Sequence, residues 1–152
     1  GRAKKKAGFK LGENDSYSGA TVSYSGYNDE DYADRSFITR VPRLGNPDII
    51  LIFGGINDNW ANTPIGEYKY EDFKRADLYT YRPALAKLIE LAQEHSSHVT
   101  LYLKTEIVES TKVVCEHYGI KYVQLQGIEK ESGHPTVKGM ETIANQVLTL
   151  IK

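Results

Sequence analysis

The chain has 152 residues, enough for one domain with a real core and too few to feed a second. Its 19 basic and 20 acidic side chains leave a net charge of −1, which excludes a global field that gathers nucleic acid or an anionic membrane. One cysteine, Cys115, excludes an internal disulfide, and no apolar run approaches the roughly 20 residues of a membrane span.

The first eight residues, GRAKKKAG, read either as the last turns of a helix stopping at Gly8 or as a solvated basic tail. The helical reading implies further sequence upstream. No signal-peptide core stands near the start, so the chain reads as soluble, with its compartment unassigned. Residues 9–32 are polar and rich in tyrosine, serine and glycine, with a short strand expected at 9–11 and a long irregular loop after it. Residues 36–41 form a short helix or strand before Pro42, and Gly45, Asn46 and Pro47 make the turn that launches the next element.

That element organises the chain. Residues 49–53, IILIF, are β-branched and apolar and read as a central strand buried on both faces. Gly54 and Gly55 then turn the backbone and set Asn57 and Asp58 just past the carboxyl end of the strand, where open α/β sheets bind ligands. Residues 59–82 lack sustained periodicity but hold the only tryptophan, Trp60, and several tyrosines, as expected of an ordered binding wall. Helices are expected over 82–95, 106–118 and 136–151, the last with Val137, Met140, Ile143, Ala144, Val147, Leu148 and Ile151 inward. Cys115 falls in the second of these as a small buried residue. Strands fill 99–103 and 120–125. This alternation implies parallel strands with right-handed crossovers, a three-layer α/β/α sandwich in a single domain.

In such a sandwich the strand ends converge. Asn57 follows the central strand, and residues 129–135 follow the last one, adding His134, Glu129 and Glu131. Pro135 forces His134 into extended backbone at the mouth of the final helix, and an imidazole there suits general-base work near neutral pH. Glu131 lies three residues before it, within reach of the second ring nitrogen. His95 and His98 end a helix, where the dipole favours them, and no zinc spacing or phosphate loop is present, so no metal or cofactor is expected.

Gly55, Ile56, Asn57 and Asp58 match the Gly-x-Asn-Asp block of the SGNH or GDSL hydrolase superfamily, and His134, Pro135 and Gly139 match its His-containing block. Gly19, in NDSYSGATVS, fits the block with a loop glycine. The chain therefore resembles these serine esterases, lipases and acylhydrolases, and the resemblance implies a flavodoxin-like parallel sheet without a cofactor. It also implies His134 as the base, with Asn57 and the Gly19 N–H as oxyanion donors. Two departures accompany it. Glu131, with Glu129 as a rival, stands where the family has an aspartate, and no Gly-Asp-Ser occurs; Asn14, Asp15 and Ser16 only mimic it. Residues 17–47 hold no helix and strand of the kind that follow the family's serine, so the nucleophile is expected upstream, in an N-terminally incomplete domain, rather than at Ser16. A sheet lacking that first strand would present an unpaired edge and pair with another chain or with a shifted strand.

The implied function is ester hydrolysis. Tyr17, Asp58 and Trp60 are the expected substrate contacts, in aromatic loops suited to an acylated carbohydrate. The other reading is a non-catalytic carbohydrate-binding or otherwise degenerate module of the same fold.

Overall fold

The computed structural model describes residues 8–96, 99–104 and 108–151. Three parallel strands carry it: β1 (Ile49–Phe53), β2 (Val99–Lys104) and β3 (Lys121–Gln124), in the order β1-β2-β3. Ile49 stands opposite Val99, and Leu101 opposite Lys121. The helices are α1 (Phe37–Arg40), α2 (Ile56–Trp60), α3 (Tyr81–His95), α4 (Glu109–His117) and α5 (Val137–Ile151). An antiparallel hairpin of β4 (Lys130–Glu131) and β5 (His134–Pro135) precedes α5.

The layering follows from side-chain direction. The stripe Leu85, Leu88, Ile89 and Ala92 of α3 is wholly buried, in one cluster with Ile50, Ile52 and Tyr102 of the sheet and Val114 and Cys115 of α4. Tyr122 of β3 packs against that cluster. The next residue, Val123, belongs to a second cluster with Leu125 and with Ile143 and Val147 of α5. Successive strand residues point to opposite faces. Helices α3 and α4 therefore cover one face and α5 the other, which is the expected α/β/α sandwich.

Several expectations need correction. The strand 49–53 is an edge of the described sheet, not a central strand buried on both faces: Ile50 and Ile52 are buried, whereas Leu51 is 44% and Phe53 47% exposed. The reason is the placement of α5, which packs over β3 at Val123 and over Leu125 just past it, and leaves the outer face of β1 uncovered by described residues. Residues 9–11 form no strand, since the free edge of β1 is not engaged by them. Val137 and Met140 are exposed, because α5 meets the sheet only from Ile143 onward. Val108, expected on the inward side of a helix, is exposed just before α4 begins.

The open choice at 36–41 resolves to helix. The Ser36 hydroxyl caps α1 by accepting the Ile38 N–H at 3.0 Å, and a 3-10 turn, Val41–Leu44, carries Pro42 onward. The aperiodic stretch after α2 is tied down: the N–H groups of Tyr81 and Arg82 donate to Pro64 and Ile65 carbonyls at 2.8 and 2.9 Å. His95 Nδ1 meets the Gly45 carbonyl at 2.9 Å, while His98 and the helix expected before Gly8 lie outside the described residues.

Candidate active site

The site is built on the turn that ends β1. Gly55 has φ +93°, and a Cβ there would come within 2.7 Å of the Tyr102 hydroxyl, so only glycine fits. That hydroxyl donates to the Gly54 carbonyl at 3.0 Å and lies 3.3 Å from the Tyr81 hydroxyl, which in turn meets Thr111 Oγ1 at 2.9 Å. Burial pushes the Tyr81 phenol up to about 12 and that of Tyr102 well above its usual value. Both phenols thus stay neutral donors, and the turn rests on a fixed hydrogen-bonded floor.

Helix α2 starts at this turn and points its adjacent polar residues in different directions. Asp58 faces inward, 2% exposed, and its two carboxylate oxygens accept the N–H groups of Val22 and Ser23 at 2.7 and 2.9 Å. Burial raises its carboxyl above the ordinary value of 3.8, against the lowering effect of those bonds. Asp58, expected as a substrate contact, thus has its carboxylate turned inward with both oxygens engaged. Its carboxylate serves the buried strip 20–23, which reads as loop in sequence yet runs through the interior, with the Val22 carbonyl also accepting from Ser36 Oγ at 2.9 Å.

Asn57 faces outward. Its Nδ2 donates to the Ala20 carbonyl at 3.0 Å, and its Oδ1 accepts from the Tyr27 hydroxyl at 2.7 Å. Gly19, immediately before that anchored strip, has φ +77°, and no hydrogen bond occupies its N–H among the described residues. The amide is thus tied to the residue that follows the Gly19 turn. Asn57 and Ala20 line one end of a groove of about 850 Å³ that also takes in Ser16, Tyr17 and the uncovered face of β1 at Leu51 and Phe53.

His134 stands elsewhere. In the hairpin Glu131 is paired opposite His134 across a Ser132–Gly133 turn with φ of +50° and +79°. Opposed residues of an antiparallel pair share a face, with Cβ atoms about 5 Å apart. Both side chains are exposed and line an open hollow with Glu129, and no hydrogen bond joins the imidazole to either carboxylate among the described residues. The hairpin is docked by the Thr136 N–H to the Glu129 carbonyl at 2.9 Å. The groove of Asn57 is not lined by His134.

Of the residues singled out in the sequence, Asn57, Ser16 and Tyr17 share the groove, Glu131 and His134 share the hollow, and Trp60 lines neither of these two cavities although it is 57% exposed. Tyr27 and the hydroxyls of Tyr81 and Tyr102 were not legible as site residues. They sit among many tyrosines, and nothing in their spacing distinguishes them.

Three comparisons bear on this arrangement. A family model described as GDSL-like Lipase/Acylhydrolase matches residues 2–151. The fold is similar to the crystal structure of a candidate GDSL-like lipase from Bacteroides ovatus and to that of another from Bacteroides uniformis. Each is 44% identical with a TM-score of 0.94 over 99% of this chain, which covers 75% of the first and 73% of the second. No curated protein matches.

Proposed function

The chain belongs to the GDSL-like lipase/acylhydrolase family, and from that premise we propose that it hydrolyses an acyl ester, with Asn57 and Gly19 as oxyanion donors and His134, which stands outside the groove of Asn57, as the base. A serine Oγ attacks the ester carbonyl while His134 takes its proton. The new C–O bond leaves a tetrahedral oxyanion, which the free Nδ2 hydrogen of Asn57 and the Gly19 N–H receive. His134 returns the proton to the departing alcohol, and a water repeats the sequence to free the acid and the serine. Glu131, paired opposite His134 in the hairpin, is the acid assigned to orient the imidazole, with Glu129 as its rival.

The observation that carries this reading is the amide of Asn57, a residue lining the groove, held on both sides with one Nδ2 hydrogen left uncommitted among the described residues. We assign the nucleophile to a strand running along the free edge of β1. The supports are the edge of β1, unpaired among the described residues, and the half-exposed Leu51 and Phe53, which a neighbouring element would cover. Without that strand the same edge pairs with a second copy of the chain. Ser16 lies in the groove, but its hydroxyl donates to Asn14 Oδ1 at 2.6 Å, an amide oxygen that cannot serve as a base. Tyr17 in the groove and Trp60 beyond it offer exposed aromatic faces for a sugar ring, the basis for an acylated carbohydrate as substrate.

The test is hydrolysis of short acyl esters by the natural full-length protein, wild type against His134→Ala. Loss of a triad member costs up to about 10⁶ in kcat, so the variant is expected to be nearly inert. Full retention of activity overturns the proposal.

A further inference from the structure

We infer that Tyr27 is a positioning residue for Asn57: its hydroxyl fixes which way the carboxamide faces and so which of its hydrogens is left for the oxyanion. The inference rests on the oxyanion role given to Asn57 above and adds a residue to it.

The orientation can be derived from hydrogen-bond roles alone. A backbone carbonyl only accepts, so the Asn57 group 3.0 Å from the Ala20 carbonyl is Nδ2. The group 2.7 Å from the Tyr27 hydroxyl is then Oδ1, and the phenol, which can act either way, must donate. The two anchors hold opposite ends of the amide and agree on a single flip. Ala20 consumes one Nδ2 hydrogen and leaves the second without a partner among the described residues. A donor on Oδ1 also draws electron density from the amide, so the remaining N–H becomes a better donor.

The loop that presents Tyr27 is built to hold it still. A Cβ at Gly26 would lie 2.3 Å from the Tyr32 ring, so the backbone there lies flat against the aromatic face. The Gly26 N–H donates to the Glu30 carbonyl at 2.8 Å, and the Tyr32 N–H to the Tyr24 carbonyl at 2.7 Å. From outside, Ser25 Oγ donates to the Tyr79 carbonyl at 2.6 Å, and the Tyr79 hydroxyl to Asp31 Oδ2 at 2.8 Å. Between these ties Asn28 and Asp29 take left-handed backbone, φ +55° and +60°, a strain that persists where the surroundings over-determine it. Burial and the fields of Tyr32 and Asp58 raise the Tyr27 phenol above its ordinary range, which keeps it a neutral donor at working pH.

The experiment compares Tyr27→Phe, Asn57→Ala and the double variant in ester hydrolysis by the natural full-length protein, together with the Asn57 side-chain amide resonances. Tyr27→Phe is expected to lower kcat about three- to tenfold, the worth of one hydrogen bond, with KM changed by less than about twofold. It is also expected to shift the two Asn57 Nδ2 proton signals, while the double variant is no slower than Asn57→Ala alone. Unchanged kcat and unchanged amide signals in Tyr27→Phe overturn the inference, as does a double variant slowed by the full sum of both losses, which marks a merely structural role. Full activity in Asn57→Ala sinks the oxyanion reading instead, whatever Tyr27→Phe does.

Discussion

Asp58→Ala is the substitution whose effect follows most directly from the geometry. The carboxylate is 2% exposed and is the acceptor for the Val22 and Ser23 N–H groups at 2.7 and 2.9 Å, both on residues with no exposure. Truncation leaves both donors buried without partners, at about 1–3 kcal/mol each, so the expected loss is about 2–6 kcal/mol. Water entering the vacated space brings the loss towards the low end. A domain of this size has about 5–15 kcal/mol in all, so the variant sits near the threshold of folding. Asp58→Asn keeps one acceptor, turns an N–H towards the other donor, and loses about half as much. Urea unfolding should show the midpoint falling in the order wild type, Asn, Ala with the slope unchanged. The pH dependence carries a second signature. Because the folded carboxyl is raised above 3.8, the native state binds this proton more tightly than the unfolded chain does. This group's contribution to stability is fullest below the unfolded pKa and declines as pH rises through the folded one, and Asp58→Asn removes that decline. An Asp58→Ala variant within about 0.5 kcal/mol of wild type, the range of an ordinary surface change, would mean that the carboxylate does not hold the strip 20–23.

Other outcomes follow from single contacts. A Cβ on Gly139 would lie 2.2 Å from the Glu129 carbonyl oxygen, so Gly139→Ala must push α5 off the hairpin; overpacking of this kind costs about 1–3 kcal/mol, and a lowered melting temperature checks it. Cys115 is fully buried and its thiol is pushed up to about 12 by that burial, so a thiol reagent at pH 8 should label it only after denaturation, and rapid native labelling would contradict its place in the core.

Much of the fold was legible because periodicity and turn chemistry agree along the chain. The strand at Ile49–Phe53 stands where the apolar run places it, and Pro83 and the stripe from Leu85 to Ala92 mark α3 without ambiguity. The family was readable from Gly55 to Asp58 and from His134 to Pro135, and the matching family model bears it out. What failed was inference about neighbours. An apolar run does not state how many of its faces are covered, so β1 read as central although Leu51 and Phe53 face outward. Nor does a carboxylate after a strand reveal its direction. Asp58 turned inward because the strip 20–23 brings two unpartnered N–H groups to it from 35 and 36 residues away. The role inferred for Tyr27 depends on the same kind of distant pairing, 30 residues apart, which no local pattern encodes.

The most direct test of the proposed site is fluorophosphonate labelling of the natural full-length protein, followed by peptide mapping of the modified residue. The label is expected on a serine of the strand bordering β1 and is abolished by His134→Ala. A label on Ser16 would contradict that assignment.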